Sequence, residues 1–292
     1  MTKTKLPLFT EFAEYPKVEN VLIMGCGGTG AYVAAHLSRF ISVLNQKTRK
    51  EEQISLFLAD GDIVEIKNLA RQHFVNSDIS KNKATVLAER YSNAFGIEIC
   101  VIPKDIENLE DLAFMGENRK RNKASDLIVG CVDNNATRKL IYDWFSSTND
   151  HYSYRSRFWI DCGNEERAGQ VICGYAPSRI LDCAIQANPK TGVAGEFSLP
   201  CVAECYPEII SGERKFNSSL SCAERAISAP QNIQTNVTAA TIALNYIQKL
   251  LIGEGLKSHG VEFSIDNSFT TKLNTSDNLA VINEQRKRYW EK

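Results

Sequence analysis

The chain has 292 residues, 43% of them hydrophobic, a formal net charge of −1 and nine cysteines. That length can bury one large α/β core, or a core with a smaller lobe, and the near-neutral charge argues against general affinity for nucleic acid. No stretch reads as a signal peptide, no apolar run reaches the roughly 20 residues that span a bilayer, and an odd set of cysteines without a regular framework fits a reducing cytosol, so a soluble cytoplasmic protein with no membrane partner is expected.

Residues 1–17 read as an arm, with a short hydrophobic segment at Leu6, Pro7, Leu8 and Phe9. A buried-strand run, Val21, Leu22, Ile23 and Met24, then enters Gly25, Cys26, Gly27, Gly28, Thr29 and Gly30. Apolar spacing predicts a helix over 31–44, followed by a charged surface loop at 47–53. A second hydrophobic run, 54–59, ends at Asp60, Gly61 and Asp62, and the polar stretch after it carries Asn68, Arg71, Gln72 and Lys83. A helix over 81–94, a strand over 97–102 and a polar excursion with a weak helix over 109–121 come next. The apolar run 125–132 reads as another buried strand, delivering Asp133, Asn134, Asn135 and Arg138 at its carboxyl end, with a helix expected over 137–145.

Alternation at 158–161 and 170–174 suggests paired strands joined by a turn over 163–169, where Asn164, Arg167 and Gln170 could face a substrate tail. The region 176–231 differs, because prolines at 177, 189, 200, 207 and 230 break regular helix and strand. It also carries Cys183, Cys201, Cys205 and Cys222. A long helix is expected over 232–251. No internal repeat or low-complexity tract is present.

The chemistry begins with the glycines. A turn from strand into helix must let its backbone touch phosphate or ribose, and a Cβ would block that approach. Amides at the following helix start supply donors and partial positive charge for an anion. Asp60, ending the second strand, stands where an acidic residue takes ribose hydroxyls, which suits NAD as well as ATP. Asn68, Arg71 and Lys83 offer more amide and cationic character than a pyrophosphate bridge needs, and suit a triphosphate. Asp133 is a plausible Mg²⁺ partner, since that ion is held by one or two carboxylates plus substrate oxygens. Each residue also has a purely structural reading: Asp60, Asp62 and Arg71 as a solvated ion-pair group, Asn68 as a helix cap.

The pieces GCGGTG at 25–30, DGDIVEIKNLARQ at 60–72, DISKNKA at 78–84 and CVDNNATR at 131–138 together resemble the ThiF/MoeB and ubiquitin-activating adenylyltransferases. The resemblance runs from about residue 21 to 174 and resumes more loosely over 219–251. It implies a Rossmann-like, doubly wound mixed α/β sheet with a C-terminal antiparallel portion and a long cysteine-bearing crossover loop. The whole chain, 1–292, would be one adenylation domain: an arm (1–17), a nucleotide-binding core (18–175), a crossover and catalytic-cysteine linker (176–231), and a C-terminal helix and strands (232–292). Gly25, Gly27, Gly28, Gly30, Asp60, Asp62, Asn68, Arg71, Lys83, Asp133 and Asn134 would bind ATP, with Asp133 holding Mg²⁺ and Arg71, Lys83 and Asp133 serving adenylation.

The implied reaction joins a protein's C-terminal carboxylate to the α-phosphate of ATP, giving an acyl adenylate and pyrophosphate. By the same resemblance Cys222 could then attack the adenylate, although a buried small hydrophobe is the alternative for it, and Cys201 and Cys205 are its competitors. Zinc is not expected, because the chain has one CxxxC at Cys201 and Cys205 and no second close pair. Homodimeric members receive an arginine from the partner's arm, yet no arginine precedes Arg39 here, leaving Lys3, Lys5 or Lys17 as substitutes without a bidentate fork.

The segments around Cys201 and Cys222 look most like the bacterial ThiF-like branch, which includes PRTRC-type proteins and activating enzymes of ubiquitin-like conjugation operons, some acting in phage defence. The leading expectation is therefore activation of a ubiquitin-like β-grasp protein, with a conjugating-enzyme-like acceptor and a second copy of this chain as further partners. Sulfur-carrier activation, a nicotinamide oxidoreductase and a non-catalytic nucleotide-binding scaffold are the competing readings.

Overall fold

The computed structural model describes residues 17–116, 124–147, 155–178, 199–211, 232–254, 256, 258–266 and 269–273. Its spine is an eight-stranded sheet: β1 (Lys17–Met24), β2 (Ser55–Ala59), β3 (Ile99–Ile102), β4 (Ala124–Gly130), β5 (Ser156–Asn164), β6 (Ala168–Ala176), β7 (Gly260–Ser264) and β8 (Phe269–Leu273), in the order 3-2-1-4-5-6-7-8. The first five in that order run parallel, and β6, β7 and β8 are added antiparallel. β1 and β4 are buried on both faces, which is why both read as unbroken apolar runs rather than alternating ones.

The chain winds outward from β1 through β2 to β3, then returns to β4 on the other side of β1. Strand order therefore reverses between β1 and β4, and in doubly wound sheets ligands occupy the crevice at that reversal, outside the carboxyl ends of the strands. This is the Rossmann-like mixed α/β sheet that the motifs imply.

Helices cover both faces. On one, α1 (Gly28–Gln46), α2 (Lys83–Phe95) and the long helix Ile233–Ile252 bury Leu37, Ile41, Leu87, Ala243 and Ile247 against Val21, Ile23, Leu127 and Val129. On the other, α3 (Asn135–Ser146), a 3₁₀ turn at Leu109–Gly116 and the stretch 199–211 bury Leu112, Met115, Trp144, Phe145 and Val202 against Leu22, Ile128 and Trp159. Asparagine side chains begin three of these helices, α2, α3 and Ile233–Ile252: Asn82 accepts from Thr85 N at 3.0 Å, Asn134 from Thr137 N at 2.8 Å, and Asn232 from Gln234 N at 2.9 Å.

Three stretches differ from the sequence expectation. The excursion at 109–121 is a docked 3₁₀ turn as far as it is described, because Leu112 and Met115 are fully buried. The turn expected over 163–169 is only residues 165–167, with Asn164 already paired to Gly169 in the β5–β6 ladder. Gly169 serves packing there: a Cβ on it would stand 2.7 Å from both Gly163 O and the Phe263 ring. Within 176–231, Leu199 bridges Tyr175, and two one-turn helices follow, α4 (Val202–Cys205) and α5 (Glu208–Ser211). Pro207 precedes α5 instead of breaking it, since its carbonyl accepts from Ile210 N at 3.1 Å and a proline lacks only a donor that a helix start leaves unused. The helix Ile233–Ile252 is α6 below.

Candidate functional site

The glycine loop is tied to strands on both sides. Gly25 N donates to Ala59 O of β2 at 2.9 Å, and Cys131 N, just past β4, donates to Met24 O at 2.8 Å. Gly25 has φ +89°, and a Cβ there would stand 2.6 Å from Cys131 O, so this position needs glycine for conformation and for space. Gly30 is as constrained, with Gly25 O only 1.8 Å from its would-be Cβ. Gly27 faces outward, and nothing but the Gln72 side chain comes within 4 Å of its would-be Cβ, at 3.6 Å. Gly27 also precedes α1, which has no side-chain cap and no acidic residue in its first turn. Its end therefore keeps its unpaired donors and its positive pole.

At the end of β2, Asp60 lies against this loop. Its Oδ2 accepts from Cys26 N at 2.6 Å and its Oδ1 from Asp62 N at 2.8 Å. Burial raises the Asp60 carboxyl, opposed by those two N–H groups and by Lys83. Lys83 is sealed to 7% exposure and pairs through Nζ with Oδ2 of Asp62 at 2.6 Å, while Asp62 itself is 70% exposed. Asn82 completes the corner by donating to the carbonyls of Asp60 at 2.7 Å and Asp62 at 3.2 Å.

Asn68 is buried and caps a 3₁₀ turn at Ile66–Asn68, its Oδ1 accepting from Glu65 N at 2.8 Å. The capping reading of Asn68 thus describes its oxygen. Arg71 is half-buried, its N–H held by Asn68 O at 3.1 Å, and its guanidinium pairs with no carboxylate among the described residues. The beginning of the following segment is fixed by Asp78, which accepts from Val75 N at 2.8 Å and pairs with Arg90.

Past β4, Asp133 and Asn134 are exposed, and Asn134 is spent as the α3 cap. The loop that carries Asp133 is set by Arg138, whose NH2 donates to Val132 O at 2.8 Å while its Nε donates to Oδ1 of buried Asp161 on β5 at 3.0 Å. Burial raises the Asp161 carboxyl, and Arg138 opposes this. An exposed carboxylate with no partner among the described residues, beside a glycine loop at a helix start, fits one of the one or two carboxylate ligands that Mg²⁺ on a nucleotide takes.

Asn236 of α6 was not foreseen from the sequence. It is 1% exposed, its Oδ1 accepts from Asn164 Nδ2 and from Thr29 Oγ1 at 3.4 Å, and its Nδ2 fills the space beside Gly28. Thr235 adds a bond to Glu166 O at 2.8 Å, so the start of α6 clamps the β5–β6 turn to the glycine loop. Of the three residues expected to meet a substrate tail, Asn164 belongs to this clamp and Arg167 pairs with Asp266 at 2.7 Å, while Gln170 lies across Gly163. Lys17 donates to Glu52 O at 3.0 Å, and Lys3, Lys5, Cys183 and Cys222 lie outside the described residues. Among the described residues, no group of three or more His, Cys, Asp or Glu is arranged to hold a metal ion, and no helix is long and apolar enough to cross a membrane.

Residues 13–281 match the ThiF family. Among solved structures, Escherichia coli MccB with ATP is similar at 19% identity and TM-score 0.54, covering 89% of this chain and 65% of that one. MccB with MccA-N7isoASN gives 18% and 0.53 over 89% and 65%, and MccB with AMPCPP and MccA gives 18% and 0.52 over 89% and 64%. These likenesses are of fold, and the chain spans slightly less than two thirds of the MccB chains it matches. No curated protein matches it.

Proposed function

Because this chain belongs to the ThiF family, we propose that it is an ATP-dependent adenylyltransferase that activates the C-terminal carboxylate of a polypeptide. The observation that carries the reading is the meeting of three strand ends at one loop. β1 supplies the loop, β2 brings Asp60 onto Cys26 N at 2.6 Å, and β4 brings Cys131 onto Gly25 next to Asp133. The open face of Gly27 and the uncapped start of α1 offer backbone donors to phosphates, and half-buried Arg71 offers a cation. The likeness to MccB, solved with ATP, supports the nucleotide, and the MccB structures with MccA support a second molecule at such a site.

In this reading Asp60 takes the ribose, Asn68, Arg71 and Lys83 the phosphates, and Asp133 the Mg²⁺. An ion held there would supply positive charge against the phosphates. The chain's own part is orientation and electrostatics: loop amides and cations hold the α-phosphate in line with the incoming carboxylate, and no side chain acts as nucleophile in that step.

The acceptor in this proposal is a ubiquitin-like β-grasp protein, whose acyl adenylate passes to a cysteine and then to a conjugating-enzyme-like partner. The enzyme works as a cytoplasmic homodimer, with antiphage defence as its setting. Cys222 is the cysteine that the resemblance points to. Sulfur-carrier activation shares the adenylate and would end in a thiocarboxylate. A nicotinamide oxidoreductase or an inert scaffold would share only the loop.

The test is ATP–pyrophosphate exchange with a β-grasp protein bearing a free C-terminal tail, and with the same protein amidated at that end. Exchange with the first and not the second is expected. Tight NAD(H) binding without exchange would indicate the oxidoreductase, and partner binding without exchange the scaffold.

A further inference from the structure

Seven cysteines fall among the described residues, all as free thiols. Cys26, Cys173 and Cys201 are sealed in the core, where burial pushes their thiols up, and Cys162 is sealed and held up first by its hydrogen bond to Cys131. Cys100, Cys131 and Cys205 are half-buried. Only Cys205, among the described cysteines, meets an imidazole: its Sγ lies 3.8 Å from Nε2 of His259, a side chain 1% exposed.

Both members of the pair are held by their surroundings. Cys205 closes α4, its N–H bonded to Cys201 O at 3.0 Å, and Cys201 N is capped by the Glu204 carboxylate at 2.9 Å. The next side chain, Tyr206, donates to Glu262 of β7. His259 directly precedes β7, and its carbonyl accepts from Cys173 N of β6 at 2.6 Å. A half-buried thiol beside a buried imidazole is an arrangement that can generate a thiolate for attack on an electrophile.

We propose that Cys205, with His259 as its base, is the thiol that takes the acyl group from the adenylate; this rests on the adenylation reading above. The thiol proton passes to His259 Nε2 and the sulfur attacks the acyl carbon. A C–S bond forms, the bond from acyl carbon to phosphate oxygen breaks, and AMP leaves with that electron pair, so the product is a thioester and no redox change occurs. Cys205 lies on the α3 face of the sheet, the face that α3 and the Asp133 loop share. The sulfur stands beside β7, three strands and about 14 Å across the sheet from β4, and its partner His259 is in register with Val129, four residues short of Asp133, so the activated end must move about 20 Å. Six or so extended residues of a free tail cover that distance, at roughly 3.3 Å each.

The test uses the full chain with acetyl adenylate, a small mixed anhydride, and maps hydroxylamine-labile acetylation by peptide mass spectrometry. Cys205 is expected to acquire the label at least about tenfold faster than Cys100 or Cys131, which have similar burial and no imidazole. His259→Gln should slow labelling of Cys205 to the rate of those two, and Cys205→Ala should abolish it. Label on Cys222 in preference to Cys205, or equal rates at all three half-buried cysteines, would overturn the proposal. Since His259 is buried and its variant risks misfolding, the comparison within the wild-type chain decides by itself. Pyrophosphate exchange by the wild type separates the two readings: exchange without preferential label on Cys205 strikes this proposal, whereas absence of exchange would strike the adenylation reading instead.

Discussion

The Nδ2 atom of Asn236 stands 2.2 Å from the point where a Cβ on Gly28 would be, so a residue of α6 occupies the side-chain space of a residue in the glycine loop. The loop is thus shaped from behind as well as from its own strand. Gly28→Ala must displace the Asn236 side chain from its bonds to Asn164 and Thr29 or shift the helix that carries it, at about 1–3 kcal/mol for an overpacked site. The Gly28→Ala/Asn236→Ala double variant regains the space, and denaturant unfolding should show it to be more stable than Gly28→Ala alone. Additive losses would mean that the two side chains do not share that volume.

Lys83 is held by Asp62, which is largely exposed, so the lysine has an exchangeable partner. In the proposed site it turns from Asp62 to a phosphate. Lys83→Met should weaken ATP binding by about tenfold or more, the size of one charge-assisted hydrogen bond, while Asp62→Asn should leave it unchanged or tighter. Calorimetric titration of the two variants measures this. A larger loss in Asp62→Asn than in Lys83→Met would assign the carboxylate, not the ammonium, to the nucleotide.

Asp133 is exposed and carries no partner among the described residues, so replacing it should not disturb the fold. Asp133→Asn is expected to keep the wild-type melting temperature and to raise the Mg²⁺ concentration for half-maximal exchange by roughly tenfold. By contrast, Arg138→Leu leaves Asp161 as an unpaired buried carboxylate and frees Val132 O, and should lower both stability and exchange.

Far from the site, Arg155 bonds Asp126 through NH2 and Oδ1 at 2.8 Å, with Asn20 and Glu19 completing a buried network between β1, β4 and the start of β5. Arg155→Met should cost about 3–5 kcal/mol in urea unfolding, because it strands a buried carboxylate. Asp126→Leu/Arg155→Met should cost much less than the two single losses added together.

Burial pushes the Asp126 carboxyl up to about 6, against the pull of Arg155. The folded chain therefore holds this proton more tightly than the unfolded one. The associated stability is complete below the ordinary carboxylate value of about 3.9 and is lost as the pH rises through about 6. Between those values the wild type should lose stability relative to Asp126→Asn, which cannot titrate there. Parallel stability curves for the two proteins across pH ~4 to ~6 would remove Asp126 as the titrating group.

Much of the nucleotide half was legible because its determinants are local. The apolar runs at β1 and β4 mark strands buried on two faces, and Gly25 announces a left-handed backbone where it occurs. Elements whose sequence is polar but whose few apolar residues dock were harder to see. The 109–116 turn docks through Leu112 and Met115, helped by Phe114 on Phe57 and by the bonds around Asp111, and α4 through Cys201, Val202 and Ala203 beneath two prolines. Gly163 and Gly169 looked like a turn, since glycine has the same letter whether it bends the chain or makes room for Phe263.

By itself the sequence determined the parallel core, the glycine loop, and the arrival of Asp60 and Asp133 at strand ends, because each follows from backbone geometry within a few residues. Tertiary structure alone decided what those groups touch. Asn236 meets Thr29 across 207 positions, Lys83 chooses Asp62 across 21, and Cys205 finds His259 across 54. Such partners are chosen when helices settle on a sheet, where side-chain volume and the demand of buried polar atoms for bonds select one arrangement that no local pattern encodes.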